Sequence, residues 1–165
     1  MSVAFRRESD EEHLEPRFEL PIPPGPNLVT PRGFEQIRAR NEELELRLEG
    51  QLSEEERKTV LRDARYWRQR LASAQPAPPA DGDHVAFGTR VTFVRDGETR
   101  TLDLVGHDES EPAADRIAFT APLARALIGA EVGDEVDFAG AKEPLLVTAI
   151  EVIGDHAELA ESGSR

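Results

Sequence analysis

Four glutamates flank the short segment Gly50–Ser53, because Glu49 precedes it and Glu54, Glu55 and Glu56 follow it. Carboxylate oxygens are the ligands that hard divalent cations such as Mg²⁺ prefer, and metal-assisted chemistry is often built on paired carboxylates. Acidic residues in the first turn of a helix also stabilise its positive end. These glutamates therefore have both a chemical and a structural interpretation.

Other kinds of chemistry find little support in the composition. The chain of 165 residues has no cysteine, which excludes disulfides and thiolate zinc sites, and its four histidines lie far apart without ligand spacing. We expect no metal site and no cofactor of its own. The net charge of −13 argues against direct binding to DNA or RNA, because phosphate contacts need clustered lysine and arginine.

The glutamates lie between two runs with helical apolar spacing. Thr30-Pro31 suits a helix start, and Ser53 with Glu56 forms a capping-box pattern for a second helix. Each run carries a narrow apolar stripe: Phe34, Ile37, Leu44 and Leu48, then Val60, Ala64, Trp67, Leu71 and Ala74. The pattern predicts an antiparallel coiled-coil hairpin over residues 30–75, with arms of about 20 residues or about 30 Å.

Charge is sorted along this predicted hairpin. Residues 42–58, around the tip, contain seven acidic residues against three basic ones. The remaining stem contains seven arginines against Glu35 and Asp63. Ordinary i,i+4 pairing does not by itself produce such a separation, and solvated helix faces also carry charge runs.

The regions around the hairpin have different patterns. Residues 1–29 are polar and then proline-rich, which predicts a disordered or extended leader. Residues 76–83 form a linker, and residues 84–154 alternate with a period of two around a turn at Asp96-Gly97, which predicts a small mixed sheet with a short helix over 122–129. Residues 155–165 form a polar tail. No stretch has the length of a membrane span and no signal peptide is recognisable, so we expect a cytoplasmic protein.

One string in the second half is distinctive: IAFTAPLARALIGAEVGDEV, residues 117–136. It resembles the signature of the Gre (GreA/GreB) family of bacterial transcription elongation factors, in which a strand precedes Ser/Thr-x-Pro, an A-x-A-L-x-G helix and V-G-D-x-V. NLVTPRGFEQI at 27–37 is similar to the family's opening, where Thr-x-x-Gly starts the first long helix. The resemblance covers residues 84–153 and this opening.

The resemblance implies an α+β protein in which the hairpin precedes an FKBP-like domain that docks at the secondary channel of RNA polymerase. The candidate docking residues are Pro122, Arg125 and Asp134. Nucleic acid would then be met only indirectly, through the polymerase, and we expect a monomer that does not act on membranes.

The family's tip carries two carboxylates, in the context Asp-x-x-Glu-Asn-Ala-Glu-Tyr, that help the polymerase hold magnesium for transcript cleavage. This string is absent here, and the arms are shorter than the family's. The candidates that remain are Glu49, Glu54 and Glu55. We therefore expect a regulator that is not itself an enzyme and that lacks efficient cleavage.

Three alternatives stay open. A true cleavage factor would use the tip glutamates together with the polymerase's magnesium. A peptidyl-prolyl isomerase is suggested only by the expected FKBP-like fold, and fold alone does not carry function. The chain also resembles the shorter nucleoside-diphosphate-kinase regulators, which have an abbreviated hairpin and also bind polymerase.

Overall fold

The computed structural model describes residues 19–154, in which two long helices precede a region of short strands. The helices and strands follow in this order: β1 (Leu28–Val29), α1 (Pro31–Glu49), α2 (Glu54–Ser73), β2 (Gln75–Pro76), β3 (Thr89–Arg95), β4 (Glu98–Val105), β5 (Arg116–Ala118), α3 (Pro122–Leu127), β6 (Glu135–Val136) and β7 (Leu145–Val152). A 3-10 turn, Pro112–Ala114, precedes β5. The predicted α+β class is confirmed, with a helical hairpin followed by a small mixed domain.

The two long helices form an antiparallel hairpin with a short buried seam. Leu44 of α1 packs with Val60 and Ala64 of α2, and all three side chains are almost inaccessible to solvent. Partly buried hydrophobic residues surround this cluster: Leu48, Leu52 and Trp67. The predicted seam is therefore present, and its narrowness is typical of coiled-coil contacts.

A two-stranded parallel sheet lies at the ends of the helices. Leu28 pairs with Gln75 and Val29 with Pro76, although the apolar pattern of residues 1–29 predicts no strand and Pro76 falls in the predicted linker. The sequence could not reveal this pairing, because each strand has only two residues and its partner is more than 40 residues away. The leader residues 1–18 lie outside the described residues.

The C-terminal sheet has five strands in the order β5-β4-β3-β7-β6. Among the described strands of this sheet, β4 and β5 pair in parallel, whereas the other neighbours pair antiparallel. The predicted turn at Asp96-Gly97 joins β3 to β4, and both residues have positive φ angles of 48° and 83°. Alternate residues of the central strands, including Phe93, Leu104 and Val147, form the core with Ala124 and Leu127 of α3.

The described residues group into two compact units. One contains residues 19–25 and 37–73, and the other contains residues 26–36 and 74–154. The first turn and a half of α1 thus belongs to the same unit as the five-stranded sheet. None of the helices within residues 19–154 is both long and apolar enough to span a membrane.

Candidate functional site

The turn between the two long helices is closed by a reciprocal capping box. The Glu56 N–H donates to Ser53 Oγ (3.1 Å), and the Ser53 N–H donates to Glu56 Oε2 (3.2 Å). Both bonds satisfy backbone donors that the start of a helix leaves unpaired. Glu56 is therefore a structural residue of the tip, as the spacing of the two residues predicts.

The three candidate catalytic residues lie together at this tip. Glu49 is the last residue of α1, and Glu54 and Glu55 are the first two of α2. All three are exposed, and their side chains form no ion pair within the part of the chain that the structure describes. No group of three or more acidic or histidine side chains in residues 19–154 is arranged to hold a metal ion. The tip is therefore an open carboxylate surface.

Part of the acidic run along the hairpin is neutralised by arginines. Three of its glutamates form ion pairs with stem arginines: Arg38–Glu42, Arg40–Glu43 and Arg68–Glu45. The hydrogen bond from Arg68 lowers the pKa of the Glu45 carboxyl below its ordinary value. Arg65 also binds Glu19 of the leader (2.6 Å). The acidic end is therefore confined to the residues that flank the turn.

The distinctive string 117–136 folds as a strand, a turn, a short helix and a second turn. Pro122 begins α3, and Gly129 follows its end with a φ of 94°, which favours glycine. The next turn is closed by Asp134, whose Oδ2 accepts the Glu131 N–H (2.9 Å). Gly133 in this turn also has a positive φ, of 95°. Most of the string therefore maintains the local fold.

The predicted docking residues differ in their surroundings. Pro122 and Arg125 are exposed and lie three residues apart, on one face of α3. Asp134 is exposed as well, but its carboxylate already stabilises the turn. Ile128 and Val132 retain 40% and 59% of their exposure. The sequence analysis did not single these two out, because an apolar residue on its own gives no sign that it is exposed.

A histidine lies between two carboxylates where the domain begins. His84 Nδ1 is 3.2 Å from Asp81 Oδ2, and His84 Nε2 is 3.0 Å from Glu131 Oε1. Asp81 Oδ1 also accepts the N–H groups of Asp83 (2.8 Å) and His84 (3.1 Å). The side-chain hydrogen bond to Asp81 is the main cause that raises the pKa of His84, and the negative charges of Asp81 and Glu131 add to it.

The four phenylalanines of the C-terminal domain have different surroundings. Phe93 is fully buried, and Phe87 and Phe119 pack edge to face with their centroids 5.4 Å apart. The Arg95 guanidinium lies over the Phe138 ring, 5.2 Å from its centroid. An isomerase site needs accessible aromatic walls, so this arrangement gives that alternative no support.

Comparison with known proteins identifies the C-terminal region. The sequence model of the family described as "Transcription elongation factor, GreA/GreB, C-term" matches residues 79–153. GreA of Thermomicrobium roseum is 40% identical over 76 residues, and GreA of Rhizobium etli is 43% identical over 58. Residues 79–153, just under half of the chain, therefore match the C-terminal domain of the GreA/GreB family. GreA of Lactococcus lactis subsp. cremoris is 47% identical over 57 residues.

The similarity to GreA factors is partial. The alignments cover 45% of this chain and 49% of the Thermomicrobium protein, and 34% of this chain and 37% of the Rhizobium protein. The chain thus spans half or less of the length of these GreA/GreB relatives.

Two solved structures align over more of the chain at low similarity. The GreA factor homolog 1 of Thermus thermophilus aligns over 77% of this chain and 99% of its own, with 18% identity and a TM-score of 0.36. The GreA/GreB factor of Nitrosomonas europaea aligns over 74% and 97%, with 19% identity and a TM-score of 0.38.

Proposed function

We propose that the chain is a bacterial transcription elongation regulator of the GreA/GreB type that binds RNA polymerase. The observation that carries the proposal is the family's string 117–136 in the C-terminal domain, which leaves Pro122, Arg125 and Ile128 exposed. Arginine is enriched among the residues that dominate binding energy at protein interfaces. The domain would dock through this surface.

The hairpin would enter the polymerase's secondary channel without performing efficient cleavage. Its tip offers exposed glutamates, but the family's paired-carboxylate string is absent and the helical arms have only 19 and 20 residues. At 1.5 Å per residue each arm reaches about 30 Å. Because a catalytic group misplaced by an ångström loses much of its effect, we infer an acidic tip that modulates elongation instead of cutting the transcript.

The docking part of the proposal is tested by binding to purified core RNA polymerase. Arg125→Glu should weaken binding about tenfold, or about 1.4 kcal/mol, because it reverses the charge at the proposed contact. Arg100→Glu is the matched control, since Arg100 is an exposed arginine on β4 of the same domain. Equal weakening by both variants would contradict the docking surface, and a wild-type chain that does not bind would contradict the function itself.

The cleavage part is tested on backtracked elongation complexes with magnesium. We expect the wild-type chain to leave the transcripts as long as they are with polymerase alone. The main alternative to this proposal, a true cleavage factor, would use the exposed carboxylates of Glu54 and Glu55. Shortened transcripts that disappear with the double variant Glu54→Ala/Glu55→Ala would establish that alternative.

A further inference from the structure

The first turn of α1 is capped by a hydroxyl that has two hydrogen bonds. Thr30 is fully buried, and its Oγ1 accepts the Gly33 N–H at 2.9 Å, which is the usual bond of an N-cap residue. The same hydroxyl donates its proton to Glu109 Oε1. The hydroxyl thus links the helix start to a carboxylate that lies 79 residues further along the chain.

Glu109 lies in the loop that follows β4, and only 7% of it is exposed. A buried carboxylate is costly unless hydrogen bonds satisfy it, and the positive end of a helix is a favourable place for its charge. Gly33 leaves room for it: a Cβ at that position would lie 2.8 Å from Glu109 Oε1. The Thr-x-x-Gly spacing at 30–33 therefore matches the needs of this carboxylate.

The backbone just before α1 is held by the same unit. The Gln75 N–H donates to Asn27 O (2.8 Å), and the Ala77 N–H donates to Val29 O (3.3 Å). A Cβ at Gly106 would overlap the Leu28 carbonyl oxygen, so the strand and the loop approach closely. Residues 27–33 are thus enclosed by β2 and by the loop that carries Gly106 and Glu109. We call these enclosing residues, 75–77 together with Gly106 and Glu109, the helix socket.

We propose that Glu109 is a positioning residue. It fixes the first turn of α1 in the helix socket, so that the C-terminal domain determines where the helical arm begins. The grouping of residues 26–36 with the five-stranded sheet supports this assignment. The inference goes beyond the family match, because it gives the opening Thr-x-x-Gly a partner in the C-terminal domain. It rests on the proposed function only where activity is measured.

Amide hydrogen exchange of the full-length chain tests the contact directly. Glu109→Ala and Thr30→Val should each raise the exchange rate of the Gly33 amide about fivefold, the factor expected for loss of a helix N-cap bond. Thr30→Ser keeps the hydroxyl and should restore the wild-type rate. Glu98→Ala is the matched control, because Glu98 is an exposed glutamate of the same domain.

The double variant Thr30→Val/Glu109→Ala measures whether the two residues act together. If they share one contact, its Gly33 exchange should exceed that of the stronger single variant by less than twofold. The proposed contact would be refuted if the two single-variant increases in Gly33 exchange multiplied in the double variant. It would also be refuted if Gly33 exchanged at the same rate in Glu109→Ala and Glu98→Ala. Thr30→Val and Glu109→Ala change opposite partners of the same hydrogen bond. If one variant does not fold, the exchange rate of the other still tests the contact.

The positioning role is tested with RNA polymerase elongation complexes. Glu109→Ala should bind polymerase within about twofold of wild type, since the proposed docking surface lies on α3, but should lose at least half of the effect on elongation rate at saturation. Thr30→Ser should retain the full effect. Raised Gly33 exchange with an unchanged effect would overturn the positioning role. A wild-type chain that does not bind polymerase would instead contradict the proposed function. The hydrogen-exchange results would still test the contact between Thr30 and Glu109.

Discussion

Removal of one buried side chain from the hairpin seam should destabilise that unit by an amount that the structure sets. Leu44 is fully buried against Val60 and Ala64. Leu44→Ala deletes three carbons, or about 2.4 kcal/mol at roughly 0.8 kcal/mol per buried carbon. Cavity formation raises such losses to about 2–5 kcal/mol. The seam has a partly exposed rim that can relax, so we expect a loss of about 2.5 kcal/mol.

The single tryptophan provides the assay. Trp67 borders the Leu44 cluster, so its fluorescence during urea denaturation reports the unfolding of the hairpin. With an m-value of about 1 kcal/mol/M, as expected for a small unit, the midpoint should fall by about 2.5 M while the slope stays constant. Leu46→Ala makes the same substitution two residues away, where the side chain is 61% exposed, and should change stability by less than about 0.5 kcal/mol.

The comparison between Leu44→Ala and Leu46→Ala tests whether the buried seam stabilises the hairpin. Equal destabilisation by Leu44→Ala and Leu46→Ala would show that the loss comes from the helix and not from the seam. Equal and negligible effects would show that the buried cluster does not hold the hairpin together. Either result would refute the packing argument.

Two further predictions concern the capping box and the histidine. Ser53→Ala should destabilise the hairpin by about 1 kcal/mol in the same fluorescence assay, because the start of α2 loses its capping bond; a loss below about 0.3 kcal/mol would contradict the cap. In an NMR titration, the pKa of His84 should lie above its ordinary value, and Asp81→Asn should lower it. Because the pKa of His84 is higher in the folded state, protonated His84 stabilises the fold. This contribution to folding stability is complete below the unfolded-state pKa and is lost as the pH rises through the folded-state pKa. A His84 pKa that does not respond to Asp81→Asn would exclude that contact.

Local patterns predicted the regular elements well. The spacing of Leu44, Val60 and Ala64 indicated the hairpin seam, and the Ser53–Glu56 spacing indicated the cap, because both depend on residues within a few helical turns. The turn at Asp96-Gly97 was predicted for the same reason, since its residues tolerate positive φ angles. The resemblance at 117–136 also lay within one continuous stretch, which is why it indicated the family.

Long-range contacts are where the sequence was insufficient. The charge run suggested that residues 42–58 form an acidic end on a basic stem, whereas Arg68 pairs with Glu45 across the hairpin, so the acidic residues of this run that are unpaired in the described part of the chain are limited to those near the turn. The helix predicted over 122–129 ends at Leu127, and the nearby Ile128 and Val132 are exposed. Neither outcome is encoded in the spacing of neighbouring residues.

The sequence by itself therefore determined the two helices, the small sheet, the capped tip and the family resemblance, because each depends on periodicity or on a contiguous motif. Only the tertiary structure decided what holds the start of α1. Thr30 and Gly33 could be read as a helix start, but Glu109 is 79 residues from Thr30 and no local pattern links them. Buried hydrogen bonds of this kind arise where the fold brings distant segments together, since a carboxylate removed from water must find its partners there.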